Sequence, residues 1–142
     1  MTKGFVFVLL AGVIGLPSCS SVKAVRQSFR CQDMQFPIYF SEGSDTLTPI
    51  ASQAIATAAD KARGCHVGTI RVTGLADASG GALANLQLSQ RRAATVTAAL
   101  AAQGLPSPAF DVDAKGEQGA VLANGRTAPM QRRTDVEIHF VR

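Results

Sequence analysis

Residues Gly74–Ala93 read GLADASGGALANLQLSQRRA. An alternating run, Val67–Thr73, with Ile70 and Val72 on one side and Arg71 and Thr73 on the other, leads into Gly74 as a strand. Asp77-Ala78-Ser79-Gly80-Gly81 is turn chemistry. From about Ala82 the sequence takes up a helical period that runs to about Gln103, where Gly104 and then Pro106 stop it. On a helical wheel at about 100° per residue, Leu88, Ala93, Val96, Ala99 and Leu100 make the apolar face. Asn85, Ser89 and Arg92 fall in that same arc, whereas Gln87, Gln90 and Arg91 point away. A buried guanidinium is expensive unless it is paired, so Arg92 needs a carboxylate or a ligand, and Asp77, in the turn just before the helix, is the nearest candidate. Chemistry alone leaves two readings open: a structural Asp77–Arg92 pair that locks helix to turn, or a ligand site. Arg91 reads as a solvated surface charge. Asn85 also has a plain structural reading, as a polar residue in a first turn whose free backbone amides need partners.

The same periodicities extend to either side. Phe36, Ile38 and Phe40 alternate with Pro37 and Tyr39 as a strand that Pro37 marks as exposed or terminal. Thr48-Pro49 is a helix start, with a hydroxyl to cap and a proline in the first turn. Ala51, Ala54, Ile55, Ala58 and Ala62 share one face of the helix that follows, which runs from about Pro49 to Arg63 and stops at Gly64. Downstream, Phe110, Val112 and Ala114 alternate with Asp111, Asp113 and Lys115 as a half-exposed strand. Gly116–Met130 is a loop, and Thr134, Val136, Ile138 and Phe140 form a last strand. The order strand, helix, strand, helix, strand, strand predicts an α/β (α+β) two-layer sandwich, a mixed sheet with helices on one face. A chain of 142 residues, 46% hydrophobic and 17% charged, fits one domain and excludes both a disordered chain and a multispan membrane protein. With no tryptophan and few aromatics, its core must come from Ala, Val, Ile and Leu.

The beginning of the chain reads as an address. Lys3 followed by the apolar run Phe5–Leu16 and small residues predicts a signal peptide over residues 1–18; the run falls short of the roughly 20 residues a membrane span needs. Leu16-Pro17-Ser18-Cys19 resembles a bacterial lipobox, which implies lipidation of Cys19, and Ser20 in place of aspartate implies sorting to the outer membrane. Residues 19–35, polar and aperiodic, read as the lipidated N-terminus and tether; the part before Cys31 reaches about 40 Å when extended. The domain proper takes up residues 36–142. With Cys19 acylated, Cys31 and Cys65 remain as an even number in an oxidising compartment and are expected to pair. The bridge would tie the residues before the first strand to the end of the first helix and contribute about 2–4 kcal/mol; two buried free thiols are the alternative. The net charge of +4, one less without Lys3, contains no run of basic residues longer than a pair. That points to nonspecific attraction toward polyanionic surfaces and not to nucleic acid. No metal-ligand spacing, nucleotide-binding glycine fingerprint or base beside Ser89 is evident, and His66 reads as a surface residue. No metal, cofactor or catalytic residue is therefore expected.

Four stretches, PIYFSEGSDTL, GLADASGGALANLQLSQRRAATV, KGEQG and QRRTDVEIHF, resemble in order and spacing the OmpA-like peptidoglycan-binding domain. The resemblance covers roughly Phe36–Val141. Its most specific part is N-x-x-L-S-x-x-R-A, occupied by Asn85, Leu88, Ser89, Arg92 and Ala93. The resemblance implies a non-enzymatic domain in which Asp77 and Arg92 bind the diaminopimelate of the peptidoglycan stem peptide, with Asn85 and Ser89 from the same motif. One carboxylate and one guanidinium match a side-chain end that carries both an amine and a carboxylate. The family's Asn-Arg-Arg is Gln131-Arg132-Arg133 here. If the strand alternation extends back, Arg132 shares the side of Val136 and Ile138 and is the pocket candidate; a surface charge is equally compatible. The family's Gly-His-Thr-Asp is Gly74-Leu75-Ala76-Asp77, which removes a hydroxyl and is expected to weaken affinity. The resulting expectation is an outer-membrane lipoprotein on the periplasmic face that holds peptidoglycan without cutting it and has possible protein partners in the envelope. The alternative is a protein-interaction module of an envelope or secretion assembly with a weakened pocket.

Overall fold

The computed structural model of the chain describes residues 31–106, 109–126, 128 and 131–141. The signal peptide, Cys19 and the tether up to residue 30 lie outside the described residues. The elements are β1 (Met34–Tyr39), α1 (Pro49–Ala62), β2 (Val67–Gly74), α2 (Ala82–Ala102), β3 (Phe110–Ala114) and β4 (Arg133–Phe140). The sheet order is β1-β4-β2-β3, with β4 antiparallel to both of its neighbours and β3 parallel to β2. This is the mixed sheet of an α/β sandwich. Pro37 sits on β1, an edge strand, where its missing N–H is tolerated.

β1 begins two residues earlier than Phe36: Met34 pairs with Ile138 and Gln35 with Glu137, so the last residues of the stretch read as tether belong to the sheet. Period-two alternation puts Ile38, Ile70, Val72, Val136, Ile138 and Phe140 on the inner face, where they are buried with Ile55, Val96 and Leu100 of the helices. Each such side chain contributes about 1.5–3 kcal/mol by leaving water. Thr48 caps α1, its hydroxyl accepting from the Ala51 N–H at 3.2 Å, with Pro49 in the first turn. Both helices end one residue before their predicted ends. β2 and α2 approach so closely at Gly74 that a methyl group there would overlap the carbonyl oxygen of Ser89.

Cys31 and Cys65 form a disulfide with a Cα–Cα distance of 5.6 Å, joining the segment before β1 to the turn after α1. The sheet thus has two distinct ends, separated by its strand length of roughly 20–26 Å. At one end lie Cys31, Cys65 and the C-terminus of β4. There the Asp33 carboxylate accepts from the Phe140 N–H at 3.0 Å and meets His139 at 3.1 Å. At the other end β1 and β2 finish and β4 starts, and the sequence-predicted site residues collect there.

Candidate functional site

Arg92 projects from α2 into the layer between helix and sheet and is fully buried. Its Nε donates to the Ser44 carbonyl at 2.8 Å, Nη1 to the Leu75 carbonyl at 2.9 Å and Nη2 to the Ser41 carbonyl at 3.2 Å. The guanidinium carbon lies 5.1 Å from the centre of the Phe40 ring, a cation–π contact. Sequence reasoning expected a carboxylate or a ligand as the partner of this charge; backbone carbonyls from two loops take that role, and Arg92 makes no direct ion pair with Asp77. The planar fork explains the difference, because five N–H groups can serve several carbonyl dipoles at once. Burial lowers the Arg92 pKa, and the field of Asp77 is the largest influence opposing that shift.

Asp77, half-buried in the turn after β2, accepts from the Ser79 hydroxyl through Oδ1 and lies 3.9 Å from Arg132 Nη1 through Oδ2. The same Arg132 nitrogen is 3.6 Å from Glu42 Oε2. Backbone bonds bring residue 132 here, with the Phe40 N–H donating to the Arg132 carbonyl and the Leu75 N–H to that of Arg133. Arg133 itself turns to Asp135 at 2.7 Å. Arg91 is exposed, as expected, and also pairs with Asp45 at 2.7 Å.

Asn85 and Ser89 are buried and face the loop after β3. Asn85 Nδ2 donates to Glu117 Oε2 at 2.6 Å, and Ser89 Oγ donates to the Leu86 carbonyl while accepting from the Gly116 N–H at 3.0 Å. The Ala76 N–H closes the clamp on the Gly116 carbonyl at 2.7 Å. Gly116 has φ +55°, which side chains rarely adopt, and a Cβ there would press on the backbone of Leu86 at 3.3 Å. Leu75 and Ala76 are also buried, so their side chains are taken up in packing. The structure therefore brings Asp77, Arg92 and Arg132 to one end of the sheet and sets Asn85 and Ser89 behind them as loop clamps. Sequence reasoning missed Glu42 and Glu117. Both lie in motifs it quoted, SEGSD and KGEQG, but nothing local tells that Glu117 meets Asn85 or that Glu42 stands near Arg132.

The fold is a two-layer sandwich that sets the Asp77 carboxylate and the Arg92 and Arg132 guanidinium groups at one end of its sheet. The chain belongs to the OmpA family, which matches residues 39–134. It is 28% identical over 137 residues to outer membrane protein A of Bordetella avium, an alignment covering 89% of this chain and 69% of that protein. Its fold is similar to the OmpA-like domain of FopA1 from Francisella tularensis (TM-score 0.65, 18% identity, 78% of this chain and 77% of that one). It is also similar to the peptidoglycan-associated lipoprotein of Burkholderia pseudomallei (TM-score 0.57, 22% identity, 72% and 89%). At these identities the two solved structures bear on the fold alone. OmpA-like domains are non-enzymatic binding modules, and the family match over residues 39–134 makes this chain one of them.

Proposed function

We propose that the chain binds peptidoglycan non-covalently through the pocket of Asp77, Arg92 and Arg132, and that lipid on Cys19 holds it at the periplasmic face of the outer membrane, so that it links membrane to wall. The observation that carries this reading is the opposition of the two ends of the sheet. The chain enters beside Cys31 and Cys65, while Asp77 and Arg132 open at the far end. A tether entering on one side and a pocket facing away on the other is what a bridging domain requires. The ligand is the free end of diaminopimelate in the stem peptide. Its ammonium goes to Asp77 and its carboxylate to Arg132, the guanidinium that reaches the surface, while buried Arg92 holds the two loops of the pocket in place and Asn85 and Ser89 support it by fixing the loop at Gly116.

Pull-down on purified sacculi tests the pocket. Asp77→Asn keeps the shape and removes the charge, and retention is expected to fall at least about tenfold, as when one partner of a desolvated charge pair is lost. Retention equal to wild type would overturn the reading. The occupied donors of Arg92 and the buried Ala76 in place of a hydroxyl favour a second reading, a protein-interaction module with a weakened pocket. That module would bind an envelope partner while ignoring sacculi.

A further inference from the structure

We propose that Glu42 is a second carboxylate of the pocket, forming with Asp77 a seat for the ligand's ammonium group that Arg132 occupies in the free protein. This deepens the peptidoglycan reading and rests on it.

The first argument is position. Glu42 lies in the turn Ser41–Ser44, closed by the Ser44 N–H donating to the Ser41 carbonyl at 3.1 Å. Arg92 holds both of those carbonyls, and with the same guanidinium it holds the carbonyl of Leu75, two residues before Asp77. One buried side chain thus cross-links the loop carrying Glu42 to the loop carrying Asp77 and sets the spacing between the two acids.

The second argument is what stands between them. A single nitrogen of Arg132 lies 3.6 Å from Glu42 and 3.9 Å from Asp77, beyond hydrogen-bond distance from either. It is a cation shared by two acids and clamped by neither. The Arg132 side chain is 39% exposed and that of Glu42 73% exposed, so Arg132 can withdraw toward water without disturbing the core. An ammonium is a compact centre with three donors and suits a seat between two carboxylates better than one corner of a planar guanidinium. Once displaced, Arg132 remains at the rim as the partner of the ligand's carboxylate. The arrangement selects for an amine with a carboxylate beside it.

The test is calorimetry with a soluble diaminopimelate-containing muropeptide, native or with its free amine acetylated, on wild type, Glu42→Gln and Asp77→Asn. Glu42→Gln is expected to weaken binding of the native peptide about two- to five-fold, the scale of a solvent-exposed ion pair, and to leave the acetylated peptide unaffected. Wild-type affinity of Glu42→Gln for the native peptide, with binding lost in Asp77→Asn, would overturn the seat while the pocket stands. Equal weakening toward both peptides would overturn it too, since the effect would not depend on the amine. Undiminished binding by Asp77→Asn would remove the pocket itself, and the seat with it.

Discussion

Arg92 shows how one buried side chain can fix the loops that carry the proposed site. A buried guanidinium is tolerated only when its donors are met. Here they are met by carbonyls of Ser41, Ser44 and Leu75, in loops separated by α1 and β2. Lysine would keep the charge but not the span, because an ammonium at the end of a flexible stem cannot reach three divergent carbonyls and cannot stack its plane on Phe40. Arg92→Lys is expected to cost about 3 kcal/mol, read as a lower urea midpoint by circular dichroism. A midpoint within error of wild type would mean that the carbonyl bonds contribute nothing net. Arg91, one position away, reaches Asp45 at the surface and carries no such burden.

The contact between β2 and α2 sets where Asp77 can stand. Gly74 lets the strand end run against the helix backbone at Ser89, and the hydroxyl of Ser89 then fixes Gly116 of the loop after β3. Adding one methyl at Gly74 would force apart two backbones, neither of which can yield as a side-chain tip could. Gly74→Ala is therefore expected to lower stability by about 2–4 kcal/mol and to lower the thermal midpoint in calorimetry; an unchanged midpoint would show that α2 can shift outward at no cost. The polar residues of α2 follow the same logic. Asn85 and Ser89 lie on its inner face, where they bond to Glu117 and Gly116 of that loop.

Among the described residues the molecule is polarised, with the Cys31–Cys65 bridge at one end of the sheet and Asp77 and Arg132, the proposed pocket, at the other. The entry end is held by the Cys31–Cys65 bridge and by Asp33, which bonds to both Phe140 and His139. The Asp33 hydrogen bond raises the pKa of His139; desolvation opposes it, and the charge of Asp33 and the hydrogen bond and charge of Glu137 add to the rise. Because the folded pKa lies above the unfolded value of about 6.5, the protonated form favours folding. This stabilisation is complete below about pH 6.5 and is lost as the pH rises through the folded value. The thermal midpoint of wild type should decline across that window, and His139→Gln should flatten the decline. An identical slope in the variant would rule out this link, and histidine proton shifts in NMR would follow the titration directly.

Much of this architecture is local and can be read before any fold is known. The two-residue and 3.6-residue periods mark every strand and both helices. Thr48-Pro49 and the glycines after each helix mark their limits, and helical phase separates the buried Arg92 from the exposed Arg91. The cysteine count leaves Cys31 and Cys65 as partners, and the spaced motifs indicate the family. The partners of Arg92 were not legible, because a backbone carbonyl has no side-chain signature and every residue carries one. Nor was the placing of Glu42 against Arg132, or the turning of Glu117 to Asn85. These depend on β4 entering the sheet between β1 and β2, a long-range pairing that brings residues 41, 75, 92 and 132 to one end and that no local period encodes.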